Sequence, residues 1–277
     1  MGKTILNIKI LYSDMGKAEK KIAEFLMEKP DRILPLSITE LAEKCGCGEA
    51  TIVRFSRRLG FDGYQQLKIS IAQEENIYSI NENIAPEDSA FDVLQKVCND
   101  VYSSLEKTKK AINKDALEKS CLALLSARNI YIFGLGNSAS VAADAEHKLL
   151  RLGFHAHAYT DNHMQAIAAA HTQAGDVVIG ISHSGSSKDI VQSMQLAKIN
   201  GATAIAITNY GKSPINKISD YILNTVSDET NYSILGLNSR IAQLAIIDAI
   251  YSYLVCHLPD SKNLIHKTES ALQPKKY

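Results

Sequence analysis

From about residue 111 onward, short apolar runs alternate with helical stretches, and this pattern narrows the fold more than any other feature of the chain. The runs NIYIFG (129–134), FHAHAY (154–159), DVVIGIS (176–182), TAIAIT (203–208) and DYILNT (220–225) have strand length. Helical patterns lie between them at about 138–152, 162–173, 187–200 and 212–218, and a long last one covers about 236–256. Strand–helix alternation at this spacing predicts an α/β domain with a five-stranded, mostly parallel, doubly wound sheet.

The first 77 residues predict an all-α domain instead. Ile22, Phe25 and Leu26 share a helical face with Ala18 one turn earlier, and Pro30 and Pro35 then interrupt the pattern. SITELAEKC (37–45) opens with Ser37 and carries Glu40 three residues on, the spacing of a capping box. A second helix is expected over about 49–59, ended by Gly60, and a third over 64–75. NENIAPEDSA is polar and contains a proline, so it reads as a linker into a helix over Phe91–Lys110. The expected organisation is a helix-turn-helix domain at 1–77, a linker and connecting helix at 78–110, and the α/β domain at 111–277.

Bulk composition removes several classes. The chain has 277 residues, 45% of them hydrophobic, enough for two domains with real cores. Its 30 basic and 30 acidic residues balance, which leaves local charge rather than net charge to mark a nucleic-acid surface. No stretch approaches the ~18 consecutive apolar residues of a membrane span. MGKTILNIKILYSDMGK is too polar, and its apolar run too short, for a signal peptide. Five cysteines (45, 47, 98, 121, 256) without disulfide-framework spacing fit free thiols in a reducing, cytoplasmic setting. Cys45 and Cys47 resemble half a zinc site, but the next cysteine is Cys98 and no histidine precedes His147. The ligand count fails, and no metal is expected.

Two helices at 37–45 and 49–59 have the spacing of a helix-turn-helix, whose second helix lies in the DNA major groove. So short a turn demands residues able to take left-handed dihedrals, and Gly46 and Gly48 supply them. Ile52, Val53 and Phe55 can face the core, leaving Gly48, Glu49, Thr51 and Arg54 to meet DNA. Arg57, Arg58 and Lys68 are placed for phosphates. Between 44 and 68 five basic residues stand against two acidic ones. A small helical domain with a merely solvated charged face is the plainer alternative.

In the second half, GLGNSAS (134–140) follows a predicted strand and opens a helix, but G-x-G-x-x-G would need glycine where Ala139 stands. Asp161 is in range of a ribose yet begins a helix as DNH, a cap position. No nucleotide cofactor is expected. ISHSGSSKDI (181–190) ends the third predicted strand with four serines around one glycine, immediately ahead of a helix. Main-chain N–H groups at a helix N-terminus together with serine hydroxyls form a phosphate cradle without a metal. Its place at the carboxyl end of a central strand is where open α/β sheets bind ligands.

SITELAEKCGCGEATIVRFSRRLGFDGYQQLK resembles the helix-turn-helix of the RpiR family of bacterial sugar-metabolism regulators. Ser37, Glu40, Leu41 and Ala42 carry the first part, Ala50, Thr51, Arg54 and Phe55 the second, and Leu59, Gly60, Phe61 and Gly63 the third. Gly48 departs from the family's usual serine at the cap of the recognition helix. Cys47 takes a position that members often fill with valine. Residues about 117–257 resemble the SIS (sugar isomerase) domain through GLGNSASVAADAEHKLLRLG, DVVIGISHSGSSKDIVQSMQLAKINGATAIAIT and SDETNY. Gly136 and Ser138 match its first loop. Ser182, Ser184, Gly185 and Ser187 match its phosphate loop, with Ser187 replacing the commoner threonine.

The resemblance implies a transcriptional regulator, a repressor of a sugar or amino-sugar operon, rather than an enzyme. Its partners would be a palindromic double-stranded operator and a sugar-phosphate effector, with N-acetylated amino-sugar 6-phosphates the favoured branch. The effector site would comprise Gly136, Asn137, Ser138, His163, Ser182, Ser184, Gly185, Ser186, Ser187 and Glu229. Assembly as a homodimer or homotetramer is implied as well. Glu229 resembles the catalytic glutamate of SIS isomerases, which keeps a phosphosugar isomerase with an appended helical domain as the alternative. A pure interaction protein is the third reading.

Overall fold

Apolar residues three and four apart on five successive helices close the first core. Ile5 and Ile8 project inward from α1 (Lys3–Leu11), and Ile22, Ala23 and Leu26 from α2 (Lys17–Glu28). They meet Leu41 of α3 (Ile38–Cys45), Ile52 and Phe55 of α4 (Glu49–Arg58), and Leu67 and Ile71 of α5 (Tyr64–Glu74). Phe55 and Ile52 are fully buried. The computed structural model describes residues 2–74, 84–227 and 237–275. These divide into two units, one of residues up to 98 together with 211–213 and the other of 99–210, 214–227 and 237–275.

The chain continues through α6 (Ala90–Ala111) and α7 (Lys114–Leu125) into the strands. These are β1 (Ile130–Gly134), β2 (Ala156–Tyr159), β3 (Val177–Ile181), β4 (Thr203–Asn209) and β5 (Tyr221–Thr225). Between them run α8 (Asn137–Arg151), α9 (Asn162–Ala170), α10 (Lys188–Ile199) and α11 (Pro214–Ile218). The last two helices are α12 (Leu237–His257) and α13 (Ser261–Leu272). The strand order is β2-β1-β3-β4-β5 and every pairing is parallel.

Period-two alternation divides the apolar strand residues between two cores. Ile130, Ile132, Val177, Ile179, Ile181, Ile205 and Ile207 pack with α7, α8 and α12 on one face. Phe133, Val178, Ala204 and Ala206 pack with α9, α10 and α11 on the other. Asn238–His257 of α12 is long and apolar enough to cross a membrane, at a mean hydropathy of 1.2. It instead lies in the first of these cores through Ile246, Ile247, Ile250 and Leu254, and its Asp248 pairs with Lys148 at 2.7 Å.

Sequence expectations and structure differ at element ends and at three helices. The helix expected over 162–173 stops at Ala170, where the Thr172 hydroxyl donates back to the Ala169 carbonyl at 2.8 Å. The helix expected from 212 begins at Pro214, whose fixed φ suits a first helical position. Helices α1, α7 and α13 had no place in the sequence reading; their apolar positions acquire a period only against the cores they cover.

At the amino end of the sheet Asp176 is fully buried. It accepts from Arg128 at 3.1 Å, from Asn129 at 2.9 Å and from the Gln173 N–H at 2.9 Å. Removing the carboxylate would leave these donors unpaired. Asp176→Ala is expected to cost about 3 kcal/mol of stability, read as a lowered urea midpoint at unchanged slope.

Candidate functional site

Ser37 caps α3, its Oγ accepting from the Glu40 N–H at 3.1 Å while Glu40 Oε2 accepts from the Ser37 N–H at 2.8 Å. The helix ends at Gly46 in the left-handed conformation (φ 61°, ψ 43°). There the Cys47 N–H donates to the Ala42 carbonyl at 2.9 Å and the Gly46 N–H to Glu43 at 3.1 Å, satisfying carbonyls that α3 leaves unpaired. Cys45 is buried at the helix end, and burial pushes its thiol up to about 11. Cys47 packs half-buried against the same core. Both are packing residues of the turn.

Helix α4 starts behind Gly48, which is extended (φ −85°, ψ 153°) and not left-handed as expected, since Gly46 alone makes the turn, and which caps the helix without a side chain. Its buried side is Ile52, Phe55 and Ser56. Arg54 and Arg57 are exposed, Thr51 is half-buried, and an Arg54 Nη2–Thr51 Oγ1 contact of 3.4 Å keeps these two side by side. The Arg57 Nε donates to the Asp62 carbonyl at 3.3 Å, one of its five donors.

In the second unit, two loops lie at the carboxyl ends of adjacent parallel strands, with Gly134 in register with Ile181. The strand order reverses between β1 and β3, so this is the topological switch point of the sheet. The β1–α8 loop turns through Gly136 (φ 56°), placing Asn137 and the buried Ser138 in the first turn of α8. The β3–α10 loop runs from the buried Ser182 through Gly185 (φ 60°) to Ser187, the residue before α10. Its geometry is internally set: the Gly185 N–H donates to the Ser182 carbonyl at 3.1 Å, and the Ser186 N–H to Ser184 Oγ at 3.2 Å. Ser182 Oγ lies 3.3 Å from Ser187 Oγ, and the Ser187 hydroxyl makes no cap to α10. The N-termini of α8 and α10 and the paired Ser182 and Ser187 hydroxyls thus follow the carboxyl ends of two adjacent strands, an arrangement suited to an anion.

The comparisons with known proteins divide the chain the same way. The helix-turn-helix domain of the rpiR family matches residues 3–76, and the SIS domain matches residues 123–253. The HTH-type transcriptional regulator RpiR of Escherichia coli K12 is 34% identical over 244 residues, covering 86% of this chain and 81% of its own. An HTH-type transcriptional regulator of Haemophilus influenzae is 35% identical over 262 residues, 92% of this chain and 90% of its own. The chain belongs to the RpiR family. Among solved structures, Vibrio vulnificus NanR complexed with ManNAc-6P shares the fold, with a TM-score of 0.85 over 99% of both chains at 23% identity. The sugar isomerase domain of an RpiR transcription factor from Sphaerobacter thermophilus covers 64% of this chain and 98% of its own at a TM-score of 0.57. The relatives that share both domains are named transcriptional regulators.

Within this RpiR-family chain the residues expected to meet DNA divide into two groups. Gly48, Thr51, Arg54 and Arg57 remain on the outer side of α4. Three others have partners within the unit, and of these only Lys68 is buried. Lys68 is 3% exposed; its Nζ donates to the Leu36 carbonyl at 2.8 Å and stands 5.5 Å from the centre of the Tyr64 ring. A lysine so placed cannot reach a phosphate. Arg58 is turned onto α2, donating to Glu19 at 2.9 Å and to the Asp14 carbonyl at 2.8 Å. Glu49 accepts from the Thr39 hydroxyl at 2.7 Å and ties α3 to the start of α4. Helical spacing placed all three on the domain surface, and Arg58 stays there; the burial of Lys68 and the Thr39–Glu49 bond depend on tertiary neighbours.

His163 is exposed in the first turn of α9, and Asp161 caps that helix, accepting from the Met164 N–H at 2.9 Å. Glu229 lies outside the described residues. Sequence reasoning missed Gln165, fully buried on α9. Its Nε2 donates to the Tyr159 carbonyl at 2.8 Å and reaches the Gly134 carbonyl at 3.5 Å, fastening α9 to the ends of β2 and β1 beside the first loop. The available signal was a lone amide on the face otherwise formed by Ala168 and Ala169.

Two outcomes follow from the helix-turn-helix geometry. A Cβ added at Gly48 meets nothing within 4 Å, and its backbone is one that serine adopts freely. Gly48→Ser is expected to stabilise the chain by about 0.5 kcal/mol, measured by denaturant titration, through a cap bond and a less flexible unfolded chain. Burial lowers the Lys68 ammonium to about 7, with Glu40 acting in the opposite direction. Between that value and the ordinary lysine range the unfolded chain holds more protons than the folded one, so stability rises with pH through this window. Wild type should gain thermal stability relative to Lys68→Met between pH 7 and 9, with a slope no steeper than about 1.4 kcal/mol per pH unit.

Proposed function

We propose that this regulator represses an operon for sugar or amino-sugar breakdown and is controlled by a phosphosugar held between the 134–140 and 182–189 loops. The reading is supported by the placement of the α8 and α10 N-termini after adjacent parallel strands at the switch point, with the Ser182 and Ser187 hydroxyls 3.3 Å apart. Backbone N–H groups and neutral hydroxyls suit a phosphate monoester. Asn137, Ser138, Ser186, Gly136 and Gly185 frame the same cradle, with His163 and Glu229 assigned to the sugar. An N-acetylated amino-sugar 6-phosphate is the favoured effector, supported by the fold shared with a NanR protein whose structure holds ManNAc-6P.

Residues 1–77 would act as the DNA-reading domain, with Gly48, Thr51, Arg54 and Arg57 toward the major groove, and residues 111–277 as the effector domain. The linker and connecting helix at 78–110 would join them. A palindromic operator is read by two copies, so the regulator works as a homodimer or a dimer of dimers. It acts in the cytoplasm, where its operator is. Ligand changes operator affinity by preferring one arrangement of the subunits.

A thermal-shift screen against ManNAc-6P, GlcNAc-6P, N-acetylmuramate 6-phosphate and fructose 6-phosphate tests the site. A true effector at 100 times its Kd stabilises by about 2.7 kcal/mol. Ser184→Ala is expected to weaken that shift about tenfold in ligand concentration while leaving basal operator binding intact. Arg54→Ala should do the reverse, weakening operator binding by about tenfold or more. A Ser184→Ala protein that responds normally to every phosphosugar would remove the cradle from consideration. Steady turnover of a hexose phosphate, abolished by Glu229→Gln, would move the chain to the isomerases.

A further inference from the structure

We propose that the corner between the ends of β4 and β5 and the first turns of α12 is a second part of the effector site, one that reads an acylamino group on the sugar. The inference rests on the phosphosugar reading and adds residues that the two serine-bearing loops leave out. Alternation along the strands sets the floor of the corner. Ile205 and Ile207 of β4 and Leu223 of β5 point into the core shared with α7, α8 and α12. Asn209 and Thr225 are the next residues on that face, and the register pairs them.

Helix α12 forms the wall. It runs back from the carboxyl ends of the strands, because its last residue, His257, leads by a short turn into α13 at Ser261. There the Thr268 hydroxyl donates to the carbonyl of Arg151 at 3.2 Å, at the last residue of α8 and close before the start of β2. Gln243 lies one turn before Ile246 and Ile247 on the side of α12 that faces the core, so it is the next buried position toward the strand ends. On the third side, the Thr108 hydroxyl of α6 accepts from the Val226 N–H at 2.9 Å. Ser104 stands one turn earlier on that helix, and Ser227 follows Val226.

Four of these side chains hold a buried polar atom with no hydrogen-bond partner: Asn209 Oδ1, Gln243 Nε2, Ser227 Oγ and Ser104 Oγ. Ser104 is 1% exposed, Gln243 2% and Ser227 8%. A buried polar group left unpaired is destabilising, so four in one corner fit a place kept for a polar occupant. Their chemistry selects it. None is charged, so the corner suits a neutral group and leaves the phosphate to the helix N-termini. Two are carboxamides, each able to present an N–H or a C=O, and two are hydroxyls. A secondary amide carries one N–H and one C=O, which a pair of carboxamides can both satisfy. The Asn209 N–H donates to the His183 carbonyl at 3.1 Å, and His183 stands between Ser182 and Ser184, so the corner adjoins the phosphate loop.

The test is calorimetric titration of the full-length protein with ManNAc-6P, GlcNAc-6P, mannose 6-phosphate, glucose 6-phosphate and inorganic phosphate. At least one acetylated probe is expected to bind about tenfold or more tightly than its hydroxyl counterpart. Gln243→Met removes the amide at nearly constant length, and Asn209→Leu removes the one on the strand. Each should bring that preference down to about twofold or less. Without ligand, both variants should melt at or above the wild-type temperature, because an apolar group replaces an unpaired buried amide. A purely structural role for the two amides gives the opposite pattern, lowered melting temperatures with the preference intact. Lowered melting temperatures in both variants, or a preference that survives both substitutions, overturn the proposal. Wild type that binds the hexose phosphates as well as their acetylated counterparts loses the corner alone. Wild type that binds none of the five probes loses the phosphate cradle and the corner together.

Discussion

The site at the head of the sheet depends on how closely two helices can approach two neighbouring strands. A Cβ at Gly134 would lie 2.5 Å from the Ser138 carbonyl oxygen and 3.1 Å from Ala142 Cβ, so α8 packs onto the end of β1 where no side chain fits. On the next strand a Cβ at Gly180 would fall 1.9 Å from Met194 Sδ of α10. Register pairs Phe133 with Gly180 and Gly134 with Ile181, so the two glycines open opposite faces of the sheet one residue apart. Each admits one helix, and the N-termini of both then end beside the same switch point. That double close approach sets where the serines of 182–187 stand relative to α8 and α10.

A comparable economy shapes the DNA-reading unit. The left-handed Gly46 sets the angle between α3 and α4, and the core residues Leu41, Ile52 and Phe55 hold it. Around this, polar groups near the turn serve as braces: Thr39 to Glu49, Arg58 to Glu19, Lys68 to the Leu36 carbonyl. Lys68 and the Tyr64 hydroxyl, at 2.9 Å, both donate to that carbonyl, which immediately precedes the cap residue Ser37. The start of α3 is thus fixed from α5, and the outer side of α4 carries Thr51, Arg54 and Arg57 behind the open cap at Gly48.

Much of this was legible in the chain. Four strands lie within the apolar runs and β4 ends one residue past its own, because a parallel sheet covered on both faces needs continuous β-branched and aliphatic segments. The capping box at Ser37 and the left-handed turn at Gly46 were readable from residue type, since few residues can do either job. The DNH cap at Asp161 was legible for the same reason. What stayed hidden were the helices α1, α7 and α13, the burial of Lys68, the pairing of Arg58 with Glu19, and the role of Gln165. Each depends on which distant residue comes near, and side-chain spacing along one helix carries no such information.

The sequence by itself determined local matters: where the strands and most helices run, which glycines turn the chain, and which residue types gather in the two loops. It also determined the family, because the motifs of both domains stand in order along the chain. Only the tertiary structure decided which basic residues stay at the surface, since burial against a main-chain carbonyl removes Lys68 from it. Tertiary structure alone also joined the 134–140 and 182–187 loops, through a parallel strand pairing that neither segment encodes. Local signals act within a turn or two of helix, whereas charge availability and site assembly are properties of neighbours far apart in the chain.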